Sequence, residues 1–160
     1  MKLVIFDVDG TLVDSQAHII ASVHEAFTHL GLAVPDRDAI LSIVGLSLPM
    51  AMRELAPSVG AEQIAQLTEF YKTEFHAQRL KQGAEASPLY PGAEAAVRAL
   101  GGREDILLAI ATGKSRRGLN ALLQAWEFGN LFLSTQCADL RAYSIAECWK
   151  TAMNRKNHAR

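Results

Sequence analysis

The chain has 160 residues, 49% hydrophobic and 21% charged, with a formal net charge of −1. That suffices for one core with a small insertion, and the near-neutral balance excludes the basic footprint of a nucleic-acid-binding domain. Two cysteines, Cys137 and Cys148, fall in no C-x-x-C or Cys/His ligand spacing, which argues against zinc and for reduced thiols in a cytoplasmic protein. The apolar run Leu3–Phe6 is too short for a signal peptide and ends on Asp7. No apolar run approaches the roughly 20 residues that a membrane span needs. The charge is uneven: residues 1–140 carry 11 Lys/Arg against 16 Asp/Glu, and residues 141–160 carry 5 against 1.

The run Leu3-Val4-Ile5-Phe6 predicts a short strand buried on both faces, as in a parallel sheet. Asp9-Gly10 breaks it. Ser15 can cap a helix in which Ile19, Ile20, Val23, Ala26, Phe27 and Leu30 recur at helical spacing, and Gly31 closes it. Short helices follow over 36–43 and 47–55, then a longer one over 61–80 with Ile64, Leu67, Phe70 and Phe75 on its apolar side. His18, His24, His29 and His76 lie in this helical block without metal-like pairing, and read as surface or cap positions. Residues 83–91 have the composition of a linker. Beyond them come a helix over 93–100, a buried strand over 106–111, a helix over 116–124 and a strand over 131–134. Residues 146–153 offer one more helix. Strands alternating with helices imply an α/β fold with a Rossmann-like parallel sheet. The sheet holds about three strands, and the helical block is an insertion. The expected core domain comprises 1–15 and 91–160, and the insertion 16–90.

In an open parallel sheet, ligands bind beyond the carboxyl ends of the strands. Asp7 and Asp9 lie at the end of the first strand, and Thr112, Gly113, Lys114 and Ser115 at the end of the second. If those strands are neighbours, two carboxylates face a hydroxyl, turn amides and a lysine. Such a site suits a phosphate and a hard cation such as Mg²⁺, which takes oxygen ligands. Asp9-Gly10 alone is a common turn dipeptide, and Thr112-Gly113 alone is a strand end. Together, each after a buried strand, they are much more specific. Arg116 and Arg117 could steer an anion, but as solvated helix residues they need no function.

"FDVDGTLVDS" closely resembles the first signature of the haloacid-dehalogenase-like phosphohydrolases, and "AIATGKS" resembles the second. "LYPGA" is similar to the segment where such chains return from cap to core. "GLAVP" and "IVGLSL" are similar to cap segments of the phosphoglycolate-phosphatase-like branch. The resemblance implies that Asp7 attacks phosphorus and forms an aspartyl-phosphate. It implies that Asp9 protonates the leaving oxygen and then activates water. The Asp7 carboxylate and the Asp9 carbonyl would bind Mg²⁺, and Thr11, Thr112, Gly113 and Lys114 the phosphoryl group. The helical insertion would be a cap that selects a small phosphorylated metabolite, with Gly45 in its specificity loop.

The resemblance read this way ends near Asp139. The family's third signature, a lysine usually before proline, and its fourth, an acidic pair in a "GD…D" setting, are not visible in residues 140–160. Glu147 is the one acid there, and Lys150 arrives late for the missing lysine. This predicts weak or absent activity, and an unpaired outer edge on the first strand. A sugar phosphomutase of the same fold, and a non-catalytic binding module, are the competing readings.

Overall fold

A computed structural model describes residues 1–82 and 87–138. The chain runs β1 (Lys2–Phe6), α1 (Gln16–His29), α2 (Arg37–Ser42), α3 (Leu48–Leu55), α4 (Ala61–Gln82), α5 (Ala93–Gly101), β2 (Ile106–Thr112), α6 (Arg116–Ala125) and β3 (Phe132–Cys137). The expected helix over 146–153, with Glu147 and Lys150, lies outside the described residues. No helix among the described residues is long and apolar enough to cross a membrane.

Two compact units divide the chain: Met1–Val13 with Leu89–Arg160, and Asp14–Pro88. In the first, three parallel strands form one sheet in the order β1-β2-β3. The fold is α/β and Rossmann-like, with β2 at the centre. Phe6 stands opposite Ile110, and Thr112 opposite Cys137. Leu108 and Ile110 of β2 pack with Leu119 and Leu122 of α6 and with Phe128 and Phe132. The apolar stripe of α6 recurs at helical spacing, which is why it covers the sheet.

One expectation for β1 is corrected. Lys2 is exposed and Leu3 to Phe6 are only part-buried, so β1 is not buried on both faces. It has a neighbouring strand on one side only among the described residues, and fewer side chains cover it there. β3 also extends past the expected Ser134, through Cys137. Thr135, Gln136 and Cys137 pair with Ile110, Ala111 and Thr112. The apolar run stops before Ser134, but the ladder to β2 continues. Val13 bridges Leu89 in antiparallel fashion, and the Tyr90 N–H donates to the Leu12 carbonyl at 2.9 Å. The chain therefore leaves and re-enters this unit along adjacent segments.

In the second unit α1 packs on α4. Val23 and Phe27 of α1 share a core with Ile40, Met52, Ile64 and Leu67. Asp36 caps α2 by accepting from the Ala39 N–H at 2.8 Å. His24, His29 and His76 are exposed, as surface histidines should be. His18 is not: it is buried, with its ring stacked on Phe75 at 4.1 Å and 13°. A histidine one turn before Ser22 and Val23 falls on the packed face of α1, whatever its polarity.

Candidate active site

The first site segment is built around Val8. Its side chain is fully buried, while Asp7 and Asp9 on either side stay part-exposed. Its carbonyl accepts from three amides in succession, Thr11 at 3.2 Å, Leu12 at 2.9 Å and Val13 at 3.0 Å. The chain thus closes a single tight turn at the end of β1. Gly10 sits in it at φ +79°, a conformation open to glycine and costly for other residues. The Gly10 N–H donates to the Val13 carbonyl at 3.0 Å and locks the turn. Two acids separated by one valine follow from packing: the valine anchors the turn, and alternation turns both acids away from the core.

Asp7 accepts from the Val8 N–H at 2.7 Å through Oδ1. Its Oδ2 has no hydrogen-bond partner among the described residues. Asp9 accepts from Lys114 through both oxygens, at 2.8 and 2.9 Å from Nζ. Both side chains of this pair are largely buried, 14% exposed for Asp9 and 9% for Lys114. Lys114, expected to face a phosphate, is drawn onto Asp9.

The second segment follows β2. Thr112 is buried, and its Oγ1 accepts from the Lys114 N–H at 3.3 Å. Gly113 is part-buried and Thr11 exposed. The Lys114 carbonyl accepts from Ala138 N–H at 3.2 Å, which ties this loop to the end of β3. Ser115 caps α6 by accepting from the Gly118 N–H at 3.2 Å. Arg116 donates to Thr135 Oγ1 at 2.6 Å and to the Thr135 carbonyl at 2.8 Å, while Arg117 is exposed. Arg116 is thereby a fastener between α6 and β3.

Parallel pairing of β1 and β2 brings Asp7, Asp9, Thr112, Gly113 and Lys114 out at one end of the sheet. Gly45 belongs to the other unit. It is exposed, at φ +98°, in the turn between α2 and α3. Among the described residues no group of three or more His, Cys, Asp or Glu could hold a metal. The donors present are hard oxygens, with the second Asp7 oxygen foremost, and this chemistry fits a hard divalent cation rather than a soft one. Sequence reading missed Gly118, whose signal was a glycine in the first turn of an otherwise good helix. It also missed Thr135 as the partner of Arg116.

Residues 4–157 match the model of the family described as haloacid dehalogenase-like hydrolase. The match continues beyond Asp139, so the expectation that the resemblance ends there is corrected. The chain is 34% identical over 145 residues to a Dickeya dadantii protein named "Probable phosphatase IndB", covering 88% of this chain and 60% of that one. It is 31% identical over 132 residues to a phosphoglycolate phosphatase of Pseudomonas fluorescens, covering 82% of this chain and 48% of that one. The chain therefore spans about half to three fifths of the length of these curated relatives. A haloacid dehalogenase-like hydrolase from Streptococcus pneumoniae shares the fold with a TM-score of 0.77 at 23% identity, over 98% of this chain and 70% of that one. The chain belongs to the haloacid dehalogenase-like hydrolase family.

Proposed function

We propose that this protein is a Mg²⁺-dependent phosphomonoester hydrolase of the phosphoglycolate-phosphatase-like kind, working through an aspartyl-phosphate on Asp7. The observation that carries the reading is the Asp7 carboxylate. One oxygen is held by the Val8 amide, and the other has no hydrogen-bond partner among the described residues, at the strand end shared with Thr112 and Lys114.

An Asp7 oxygen forms a bond to phosphorus as the ester P–O bond breaks. Asp9 delivers a proton to the departing oxygen. Water then attacks the phosphoryl group, Asp9 takes its proton, and Asp7 is regenerated with release of inorganic phosphate. Thr11, the Thr112 hydroxyl and the Gly113 amide serve the phosphoryl oxygens. The Lys114 ammonium adds positive charge and holds Asp9 in place. The Asp7 carboxylate and the Asp9 carbonyl would hold the Mg²⁺, which when bound supplies charge neutralisation at the phosphoryl oxygens. The helical unit acts as the substrate-selecting cap with Gly45 in its specificity loop, and the substrate is a small phosphorylated metabolite.

The test is phosphate release from an aryl phosphate by the 160-residue chain, with and without Mg²⁺, beside Asp7→Asn. The expected result is release that needs Mg²⁺ and falls by about three orders of magnitude in the variant. Equal release by both chains would overturn the reading, and none from a folded wild type would overturn it in favour of the non-catalytic module. Transfer of the phosphoryl group to a sugar hydroxyl in place of release would identify a phosphomutase.

A further inference from the structure

We infer that Gly118 is a positioning residue for the Asp9–Lys114 pair, an assignment that rests on the proposed role of Asp9. Gly118 is the third residue of α6, which runs Arg116–Ala125. Glycine is the poorest helix former after proline, so its presence inside a helix calls for a reason. Its backbone supplies none, because its φ is outside the left-handed range. Its surroundings do. A Cβ at Gly118 would meet Lys114 Cγ at 3.2 Å, Ser115 Oγ at 3.2 Å and Lys114 Cε at 3.5 Å.

Neither close neighbour can readily give way. Ser115 Oγ is held by the Gly118 N–H as the cap of α6. The Lys114 stem is tethered at both ends. At one end the main chain is fixed by the Thr112 hydroxyl and by the Ala138 amide. At the other, Nζ is fixed on both Asp9 oxygens. The stem therefore runs past the first turn of α6 in tight contact with the place a Cβ at 118 would take. The bare glycine leaves the lysine a path to the acid. A methyl group there pushes on the middle of the stem, and the displacement is delivered to Nζ and from it to Asp9. The stem must give by a few tenths of an ångström, and since a misplacement of about 1 Å can cost about a hundredfold in rate, the expected loss is nearer tenfold.

The test compares wild type, Gly118→Ala, Lys114→Ala and the double variant by two readouts. The first is competitive acetylation with limiting acetic anhydride. Lys114 is quantified by mass spectrometry against Lys72, an exposed lysine on α4. Gly118→Ala is expected to raise Lys114 labelling about threefold or more, because the ammonium loses its seat on Asp9. The second is Mg²⁺-dependent phosphate release. Gly118→Ala is expected to lower kcat about tenfold with KM within about twofold, and to add little on top of Lys114→Ala. Unchanged Lys114 labelling in a folded Gly118→Ala protein would overturn the inference, as would rate losses that multiply in the double variant. If Gly118→Ala alone fails to fold, folding of the double variant supports the inference, and failure of both overturns it. A wild type without Asp7-dependent release would sink the phosphatase reading. The labelling alone would then decide whether Gly118 seats Lys114.

Discussion

Lys114 reaches Asp9 across 105 residues of sequence, with Nζ 2.8 and 2.9 Å from the two carboxylate oxygens. The pair is largely buried, so removing either partner leaves a charge with reduced access to water. Lys114→Met is expected to destabilise the protein by about 2 kcal/mol. Urea unfolding at low and high salt checks this. The loss should persist at high salt, because burial limits screening. Asp9→Asn should behave alike, and the double variant should lose less than the sum of the two.

Glu127 follows the last turn of α6 at φ +56°, alone among the described non-glycine residues in having a positive φ. The Phe128 N–H donates back to the Leu123 carbonyl at 2.9 Å, closing a left-handed helix end that favours glycine. Glu127→Gly is expected to stabilise the protein by about 0.5–1 kcal/mol, since it relieves strain in an exposed residue whose side chain makes no hydrogen bond among the described residues. A rise in the urea midpoint at constant slope would bear this out, and a fall would refute it.

Asp36 caps α2 through its bond to the Ala39 N–H. Asp36→Ala is expected to cost about 1 kcal/mol. Asp36→Ser should recover most of that. Since Asp36 lies in the helical unit, the labelling rate of Lys114 should not change. Denaturant titration and acetylation together test both halves.

Arg103 clasps Asp105 with two hydrogen bonds, of 2.9 and 3.0 Å. The hydrogen bond from Arg103 holds the Asp105 carboxyl below its ordinary value of 3.8, with the Arg103 charge adding to it and desolvation opposing it. A carboxyl depressed by folding contributes stability above its unfolded pKa, and that contribution disappears as pH falls through the folded value. The contribution is therefore intact at neutral pH and is lost below the usual carboxylate range. Asp105→Asn should remove this acid-side slope and leave the neutral-pH slope alone. The pair is solvent-exposed, so the change should be small and should shrink in salt. Unfolding measured across acid pH in the two proteins decides it.

Much of the secondary structure is legible along the chain. Val23, Ala26, Phe27 and Leu30 recur at helical spacing, and Ile106 to Ala111 run as an unbroken apolar strand. Helical and strand periods are local properties, so they survive without any knowledge of neighbours. The end of β3 was not legible for the same reason. Ser134 and Gln136 are buried in the ladder although their polarity points to solvent, and only pairing with β2 explains them. That His18 is a buried position of the helical block and not a surface one is not legible locally, because its stacking partner, Phe75, belongs to a distant helix.

At the candidate site the division is sharper. The sequence by itself determined that two acids flank a valine after a strand, that a glycine turn follows, and that Thr-Gly-Lys-Ser ends a second strand. These depend on the order of residues and on local backbone preference. Only the tertiary structure decided that β1 and β2 are neighbours, that Lys114 closes on Asp9, that Arg116 is spent on Thr135, and that Gly118 leaves room for the lysine stem. Each of these depends on which surfaces meet in space, and hydrogen bonds and packing act over a few ångströms regardless of separation along the chain.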